Sequence, residues 1–357
     1  LLSCLLLDIG TEEKNQAVRS VKFGPLPSIH VYEVVKVAMV LYIAWASDEY
    51  KNGGFKFLRR LTKAQPKLAF LDTPLAKRAI FIYAPIIATF AMILPGGMSS
   101  AIFIGGIMAL TAFIGGIDKR DVAIIATGIA VFFGVFASIF YISDGEKAQR
   151  FGTFVGRTTL GTKLDTVEMM LYGEMKMDRV KFADFLNDIM QPQSAKIAIH
   201  EGGLLGKGPG NSTQKYSVRL MFSDFMFSFI LEEYGLWGGI LVMILYVSLL
   251  ARGILIVRHC DDTFDKVAVG GLTLLITCQA LMHIFINLDM GILTGQTLPM
   301  ISHGNSSLLC FCIAFGVILR ISKKAYAPIR EETEAAPSLM PEEQTGPETA
   351  SETENGK

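Results

Sequence analysis

Long apolar blocks alternate with short polar segments along most of this chain. Seven blocks span residues 31–47, 79–94, 98–117, 122–143, 236–256, 268–288 and 308–321. Each approaches the roughly 20 residues that a helix needs to cross a bilayer. Hydrophobic residues make up 51% of the chain and charged residues only 18%, below the roughly 25% of soluble domains. The pattern predicts an all-α, polytopic integral membrane protein with about seven complete transmembrane helices.

A long polar stretch separates the fourth block from the fifth. Residues 144–223 predict a large external loop, with short surface helices in its 157–190 part. The loop ends at Asp224, where F-M-F-S-F-I-L predicts a half-helix that leads to Glu232. Residues 289–307 carry glycine and proline in an apolar setting, which predicts a non-helical segment enclosed by protein.

The two ends of the chain differ from its middle. From residue 327 the sequence is rich in Glu, Pro, Ser and Thr, which predicts a disordered acidic tail on the cytoplasmic side. The chain thus divides into a membrane domain, 1–326, and a tail, 327–357. The first residues, L-L-S-C-L-L-L-D, resemble the end of a helix, so we expect the chain to begin inside a longer protein.

The short connections carry the basic residues that set membrane orientation. Lys or Arg occurs in 48–78, 118–121, 252–267 and 320–324, and alternation of the spans places all four on one side. By the positive-inside rule that side is cytoplasmic. Asp224 and the 144–223 loop then lie at the outer face.

Charge and cysteine content exclude several classes of site. The formal net charge is zero, so charge predicts no nucleic-acid partner. The five cysteines form no C-x-x-C pair, and the histidines lack metal-ligand spacing. The sequence therefore predicts no cofactor bound by a motif. His303, within I-S-H-G-N-S-S, is the histidine expected to face the outer cavity.

Two acids near the half-helix are candidates for chemistry. An acid at the mouth of a membrane helix is costly to desolvate, which favours a functional role for Asp224 as a general base. A helix N-cap is the structural alternative. Glu232 lies eight residues on, within about 80° of Asp224 on an ideal helix. It either lines the same cavity or is a structural acid at the helix break before Gly235.

A glycine-rich segment and several cations could contact phosphate groups. G-G-L-L-G-K-G-P-G at 202–210 differs from a P-loop, because a glycine follows the lysine. It is either a phosphate-contacting loop or a flexible turn. The external cations are pyrophosphate ligands or solvated surface charges: Arg150, Arg157, Lys196, Lys207 and Lys215.

Several stretches together resemble one family of membrane proteins. They are E-V-V-K at 33–36, R-F-G-T-F-V-G-R at 150–157, A-K-I-A-I-H-E-G-G-L-L-G-K-G-P-G-N-S at 195–212, S-D-F at 223–225, E-E-Y-G-L at 232–236 and G-Q-T-L-P-M-I-S-H-G-N-S-S at 295–307. The chain resembles the SEDS family, the FtsW, RodA and SpoVE group, and looks most like FtsW-like members from Bacteroidetes. It departs from the family pattern at 96–101, which lacks an Asp, and at Asn305, where the family has glycine.

The resemblance implies a ten-span fold, with this chain beginning near the end of the third span. It implies a peptidoglycan glycosyltransferase that polymerises lipid II at the outer face of the cytoplasmic membrane, with Asp224 as the catalytic acid. Cell division at the septum is the expected role, and a class B penicillin-binding transpeptidase the expected partner. A divalent cation held with the substrate pyrophosphate is left open. The alternatives are a lipid II flippase and a non-catalytic scaffold for the transpeptidase.

Overall fold

The computed structural model describes residues 11–14, 17–21, 29–53, 55, 72–94, 97–142, 179–216, 221–290 and 295–335. Eight helices occupy most of these residues: α1 Val31–Lys51, α2 Pro74–Ile93, α3 Met98–Ile114, α4 Lys119–Ile142, α5 Arg179–Gly202, α6 Met226–His259, α7 Thr263–Asn287 and α8 Asn305–Ala335. A small antiparallel sheet, β1 Thr11–Lys14, β2 Ala17–Val21 and β3 Ile29–His30, precedes α1. The polytopic all-α class predicted from the sequence is confirmed.

Each of the seven predicted blocks coincides with one helix to within three residues at its end, and residue 143 lies outside the described residues. Among the residues that the structure describes, four helices are long and apolar enough to cross a membrane: α2, α6, α7 and the 305–327 part of α8. α3 is apolar but shorter. The number of complete spans, about seven, stays a prediction.

α5 extends the predicted surface helices past residue 190 and through 191–202, where the sequence predicts no helix. The external position of 144–223 stays a prediction. α5 continues through Pro192, and its buried residues Ala195, Ala198 and Gly202 recur at helical spacing. A Cβ on Gly202 would overlap the carbonyl of Leu231 in α6, so the two helix backbones touch there. The close packing against α6 supplies the stabilisation that local sequence lacks. The 157–178 part of the predicted surface helices lies outside the described residues.

The last helix continues past the predicted start of the tail. α8 reaches Ala335, beyond the boundary predicted at residue 327. Residues 336–357 lie outside the described residues, so disorder there stays a prediction.

α7 is the most buried of the candidate spans and lies at the centre of the bundle. A Cβ on its Gly270 would lie 3.2 Å from Ile114 of α3 and 3.7 Å from Val257 of α6. Gly116, just beyond α3, lies against Lys51 at the end of α1. The ends of α1 and α3, the end of α6 and the start of α7 therefore share one end of the bundle. This agrees with the common side predicted for the basic connections.

α6 is broken near its start. Gly235 has φ 68° and ψ −166°, which is not helical, so residues 226–234 form a half-helix that precedes the long span. The predicted half-helix after Asp224 is confirmed.

Candidate active site

Asp224 lies directly before the half-helix, at its junction with the 295–304 segment. Its side chain is half-buried, and its Oδ1 accepts a hydrogen bond of 2.8 Å from the hydroxyl of Ser223. A Cβ on Gly295 would lie 3.4 Å from Oδ2 of Asp224. The 295–304 segment therefore passes close to the carboxylate, a group able to take a proton, with a residue that has no side chain.

The 295–304 segment is tied to the residues before Asp224. The hydroxyl of Ser302 donates to the carbonyl of Ser223 at 2.8 Å, and the N–H of His303 donates to the carbonyl of Phe222 at 2.8 Å. Tyr246, in the long part of α6, donates its hydroxyl to the carbonyl of Pro299 at 2.5 Å. These bonds give the polar groups of a non-helical segment partners within the protein.

The buried side chain of Lys36, in α1, is hydrogen-bonded to this segment. Lys36 donates 2.8 Å to Glu33, 2.7 Å to the side-chain oxygen of Gln279 and 3.3 Å to that of Gln296. Gln296 in turn donates 2.9 Å to the hydroxyl of Ser100. The E-V-V-K stretch of α1 therefore supports the segment that faces Asp224.

The start of the half-helix is held partly by another helix. The N-cap residue is Phe225, whose ring accepts no capping hydrogen bond. The N–H groups of Phe227 and Ser228, which a capping acid would engage, donate to His283 and Asn287 of α7.

Lys196 lies near this junction. Its Nζ is 2.5 Å from a carboxylate oxygen of Asp289, just beyond the end of α7. Lys196 and Asp289 line one recess with Phe225 and Asn287. Asn287 donates 3.2 Å to the backbone carbonyl of Asp224. The structure thus brings one predicted cation close to the candidate base.

Glu232 has a different position from the one predicted for a substrate ligand. Its side chain has an exposed fraction of 0%, and its two oxygens accept bonds from the segment after α5. The hydroxyl of Ser212 donates at 2.5 Å, the N–H of Thr213 at 2.8 Å and Nζ of Lys207 at 2.9 Å. The geometry corrects the interpretation in which Glu232 lines the same cavity as Asp224. Both carboxylate oxygens of the buried Glu232 accept hydrogen bonds within the protein, so Glu232 is the structural acid at the helix break.

The glycine-rich segment supplies backbone partners to the broken helix. The N–H groups of Lys207 and Gly208 donate to the carbonyls of Glu232 and Glu233 at 2.9 and 3.0 Å. The N–H of Leu236 donates to the carbonyl of Gly203 at 3.0 Å. These groups would otherwise lose partners where α6 is interrupted. The structure supports the turn interpretation of 202–210, with turns at 203–205 and 209–210, and it uses the N–H groups of Lys207 and Gly208 at the helix break. Contact of this segment with a phosphate stays a prediction.

Lys207 and Lys215 are also engaged within this segment. Hydrogen bonds and charge attraction from Glu201 and Glu232 raise the pKa of Lys207 above its ordinary value. The same contact with Lys207 lowers the pKa of Glu201. Lys215 donates 2.7 Å to the carbonyl of Gly210. Both lysines hold the segment around 201–215, and neither is placed by a described contact beside Asp224.

The remaining predicted ligands divide into two groups. His303 is exposed and lies on the segment that faces Asp224, as expected for a residue of the outer cavity. Arg150 and Arg157 lie outside the described residues, so their roles stay predictions. Among the residues that the structure describes, no three His, Cys, Asp or Glu side chains come together as a metal site.

Sequence reasoning missed the polar face of α7. Gln279, His283 and Asn287 recur every four residues within an apolar span and are all buried. Polar residues at this spacing lie on one face of a helix and must find partners in the protein. That spacing was the signal that could have located them.

Replacing Glu232 with alanine is expected to destabilise the fold by roughly 1–3 kcal/mol, because the buried donors of Ser212 and Thr213 would lose their acceptor. Thermal unfolding of the purified protein in detergent measures the effect. Glu201→Ala is the matched control, since its ion pair with Lys207 is exposed and should contribute little. Equal effects from the two variants would contradict the bracing role.

Comparison with known proteins places this geometry in a family. The family model described as "Cell cycle protein", for FtsW, RodA and SpoVE, matches residues 1–327. A "Probable peptidoglycan glycosyltransferase FtsW" of Caulobacter vibrioides is 38% identical over 137 residues, 38% of this chain and 35% of the relative. "Peptidoglycan glycosyltransferase MrdB" of Escherichia coli is 37% identical over 133 residues, 36% of this chain and 35% of the relative.

A longer match has lower identity. A "Probable peptidoglycan glycosyltransferase FtsW" of Marinomonas mediterranea is 28% identical over 300 residues, 82% of this chain and 62% of the relative. The first matches thus span 35–40% of the curated relatives' length.

Two solved structures share the fold at 18% identity. One, described as "Structural coordination of polymerization and crosslinking by a peptidoglycan synthase complex", has a TM-score of 0.56 over 91% of this chain and 78% of its own. A mutant of the Rod shape determining protein RodA of Thermus thermophilus has a TM-score of 0.51 over 91% of this chain and 76% of its own. With the family model matched across most of its length, the chain belongs to the FtsW, RodA and SpoVE family.

Proposed function

We propose that this protein is a peptidoglycan glycosyltransferase that polymerises lipid II at the outer face of the cytoplasmic membrane. The observation that carries the proposal is the placement of Asp224 between the half-helix and the 295–304 segment. A half-buried carboxylate there, lying against Gly295, suits a general base that must meet a membrane-bound substrate. The names of the relatives support the reaction class.

In the proposed reaction, Asp224 takes the proton from the acceptor sugar hydroxyl of one lipid-linked molecule. The freed oxygen forms a bond to the anomeric carbon of the donor glycan. The bond from that carbon to the pyrophosphate breaks, and undecaprenyl pyrophosphate leaves with the electron pair. One displacement inverts the anomeric centre, and a longer glycan strand remains. External cations stabilise the departing diphosphate. A divalent cation held with the pyrophosphate of the substrate stays a prediction.

The proposed partner is a class B penicillin-binding transpeptidase, which would crosslink the strands made here. One structural relative is described as a complex for polymerisation and crosslinking, which supports this class of partner. A division role at the septum is proposed with it, because several relatives carry the FtsW name. The particular similarity to FtsW-like proteins of Bacteroidetes stays a prediction.

The test is lipid II polymerisation by the full-length protein, purified with its transpeptidase and placed in liposomes. We expect glycan strands from lipid II on the outer surface. Lipid II that crosses the bilayer without forming polymer would support the flippase instead. Transpeptidase recruitment by a protein that makes no polymer would support the scaffold.

Lys196 is expected to contribute to binding of the donor pyrophosphate. Lys196→Gln should lower kcat/KM for lipid II by roughly 10–100-fold, since a hydrogen bond to a charged group contributes about 1.5–3 kcal/mol. Steady-state rates over a range of lipid II concentrations measure it. Lys215→Gln is the control, because Lys215 binds the Gly210 carbonyl and, unlike Lys196, lines no described recess with Phe225, the neighbour of Asp224. A larger loss at Lys215 than at Lys196 would contradict this assignment.

A further inference from the structure

The half-helix that follows Asp224 has no cap of its own. The first N–H groups of a helix have no partner within it and are usually satisfied by a side chain just before it. Here the N-cap position is Phe225. The partners come from another helix.

α7 provides both acceptors. Nε2 of His283 accepts from the N–H of Phe227 at 3.3 Å. Oδ1 of Asn287 accepts from the N–H of Ser228 at 3.1 Å and from its hydroxyl at 2.8 Å. The two residues lie four apart, on one face of α7, which matches consecutive N–H groups at the start of α6.

The other polar atoms of these two side chains determine their orientation. Nδ1 of His283 is 2.8 Å from the carbonyl of Gln296. A carbonyl only accepts, so Nδ1 carries the proton and Nε2 keeps its lone pair for Phe227. Nδ2 of Asn287 donates 3.2 Å to the carbonyl of Asp224 and 2.9 Å to that of His283, so its Oδ1 must face Ser228.

These contacts reach both sides of the candidate site. Asn287 binds the backbone of Asp224 itself, and His283 binds Gln296, the neighbour of the Gly295 that faces the Asp224 carboxylate. With exposed fractions of 1% and 2%, His283 and Asn287 are too buried to touch a substrate. Their effect must pass through the residues they hold.

We propose that His283 and Asn287 are positioning residues for Asp224. Together they cap the half-helix from α7 and fix the distance between its start and the 295–304 segment. This inference rests on the proposed function, in which Asp224 is the general base. Ordinary satisfaction of buried polar groups would stabilise the fold but would not by itself require bonds to the Asp224 backbone and to the opposite segment.

The test is steady-state polymerisation by the full-length protein with its transpeptidase, together with thermal unfolding of each variant. His283→Leu and Asn287→Ala are expected to lower kcat by roughly 100-fold, as a displacement of about 1 Å does. KM should change by no more than about twofold, because ground-state binding is untouched. His283→Gln keeps one donor and one acceptor and should recover most of the lost kcat.

Thr277→Val is the matched control. Thr277 lies on the same helix, has an exposed fraction of 2% and donates 2.9 Å to the carbonyl of Thr273 in its own helix. Its loss perturbs a buried hydrogen bond without reaching α6, so kcat should stay near the wild-type value.

Several outcomes would overturn the inference. A kcat loss no larger than that of Thr277→Val, or no larger than the loss of folded protein, would do so, and so would a rise in KM at unchanged kcat. If the Leu and Ala variants do not fold, Asn287→Ser and His283→Gln replace them. Low kcat is expected for the shorter Ser and recovery of kcat for Gln, and the reverse order overturns the proposal.

Wild-type turnover by Asp224→Asn would reject the proposed function. An inactive Asp224→Asn beside an Asn287→Ala with normal kcat would reject this inference alone.

Discussion

Replacement of Asp224 by asparagine is expected to lower kcat for lipid II polymerisation by about 10²–10⁴-fold, the usual contribution of a general base. Asparagine keeps the size of the side chain, and its oxygen can still accept from the Ser223 hydroxyl, 2.8 Å away in the wild-type protein. It cannot take a proton at neutral pH. The measurement is glycan-strand formation from lipid II by the purified complex at saturating substrate.

Ser223→Ala is the control for this change. It removes the hydroxyl that donates to Asp224 but leaves the carboxylate, so the loss of kcat should be far smaller than that of Asp224→Asn. The bond from Ser302 to the Ser223 carbonyl would be retained, because it ends on the backbone. Strand formation by Asp224→Asn at the wild-type rate would show that some other group removes the proton.

The second large effect is expected at Gly206. Its φ is +76°, and a Cβ there would lie 2.6 Å from the N of Gly235 and closer still to the carbonyl of Glu233. Gly206→Ala should therefore destabilise the protein by about 2–5 kcal/mol, the sum of roughly 1–2 for the left-handed backbone and roughly 1–3 for overpacking. Thermal or denaturant unfolding in detergent measures the loss.

Gly210 offers a matched control for Gly206. Its φ is +81°, but a Cβ there would meet nothing within 4 Å. Gly210→Ala should thus lose only the roughly 1–2 kcal/mol of backbone strain. If both variants lost the same stability, the close contact between the glycine-rich segment and the broken helix would not be important.

The membrane helices could be predicted from local sequence. A run of about 20 apolar residues must pair its own backbone groups in a bilayer, and a helix is the structure that does so. For this reason α2, α6, α7 and α8 contain their predicted blocks to within one residue. Asp224 could be selected for a related reason, since a carboxylate beside apolar segments is costly unless it has a use or a partner.

Segments outside the apolar blocks were harder to predict. The 191–202 stretch is polar and contains Pro192, so local propensity favours a loop, yet it is helical where it packs on α6. The glycines at 202–210 indicated a turn or a phosphate contact, and their backbone partners proved to be the carbonyls of Glu232 and Glu233. Those carbonyls are free to accept only because α6 breaks at Gly235.

The sequence by itself determined the apolar spans, the half-helix after Asp224 and the carboxylate at its start, because each depends on residues close together in the chain. Only the tertiary structure decided that Glu232 braces the glycine-rich segment and that His283 and Asn287 hold the start of α6. The bonds from α7 join residues 56 and 59 positions apart. Such partners follow from which helices are neighbours and how they are rotated, and the hydrophobic pattern of a single helix contains neither.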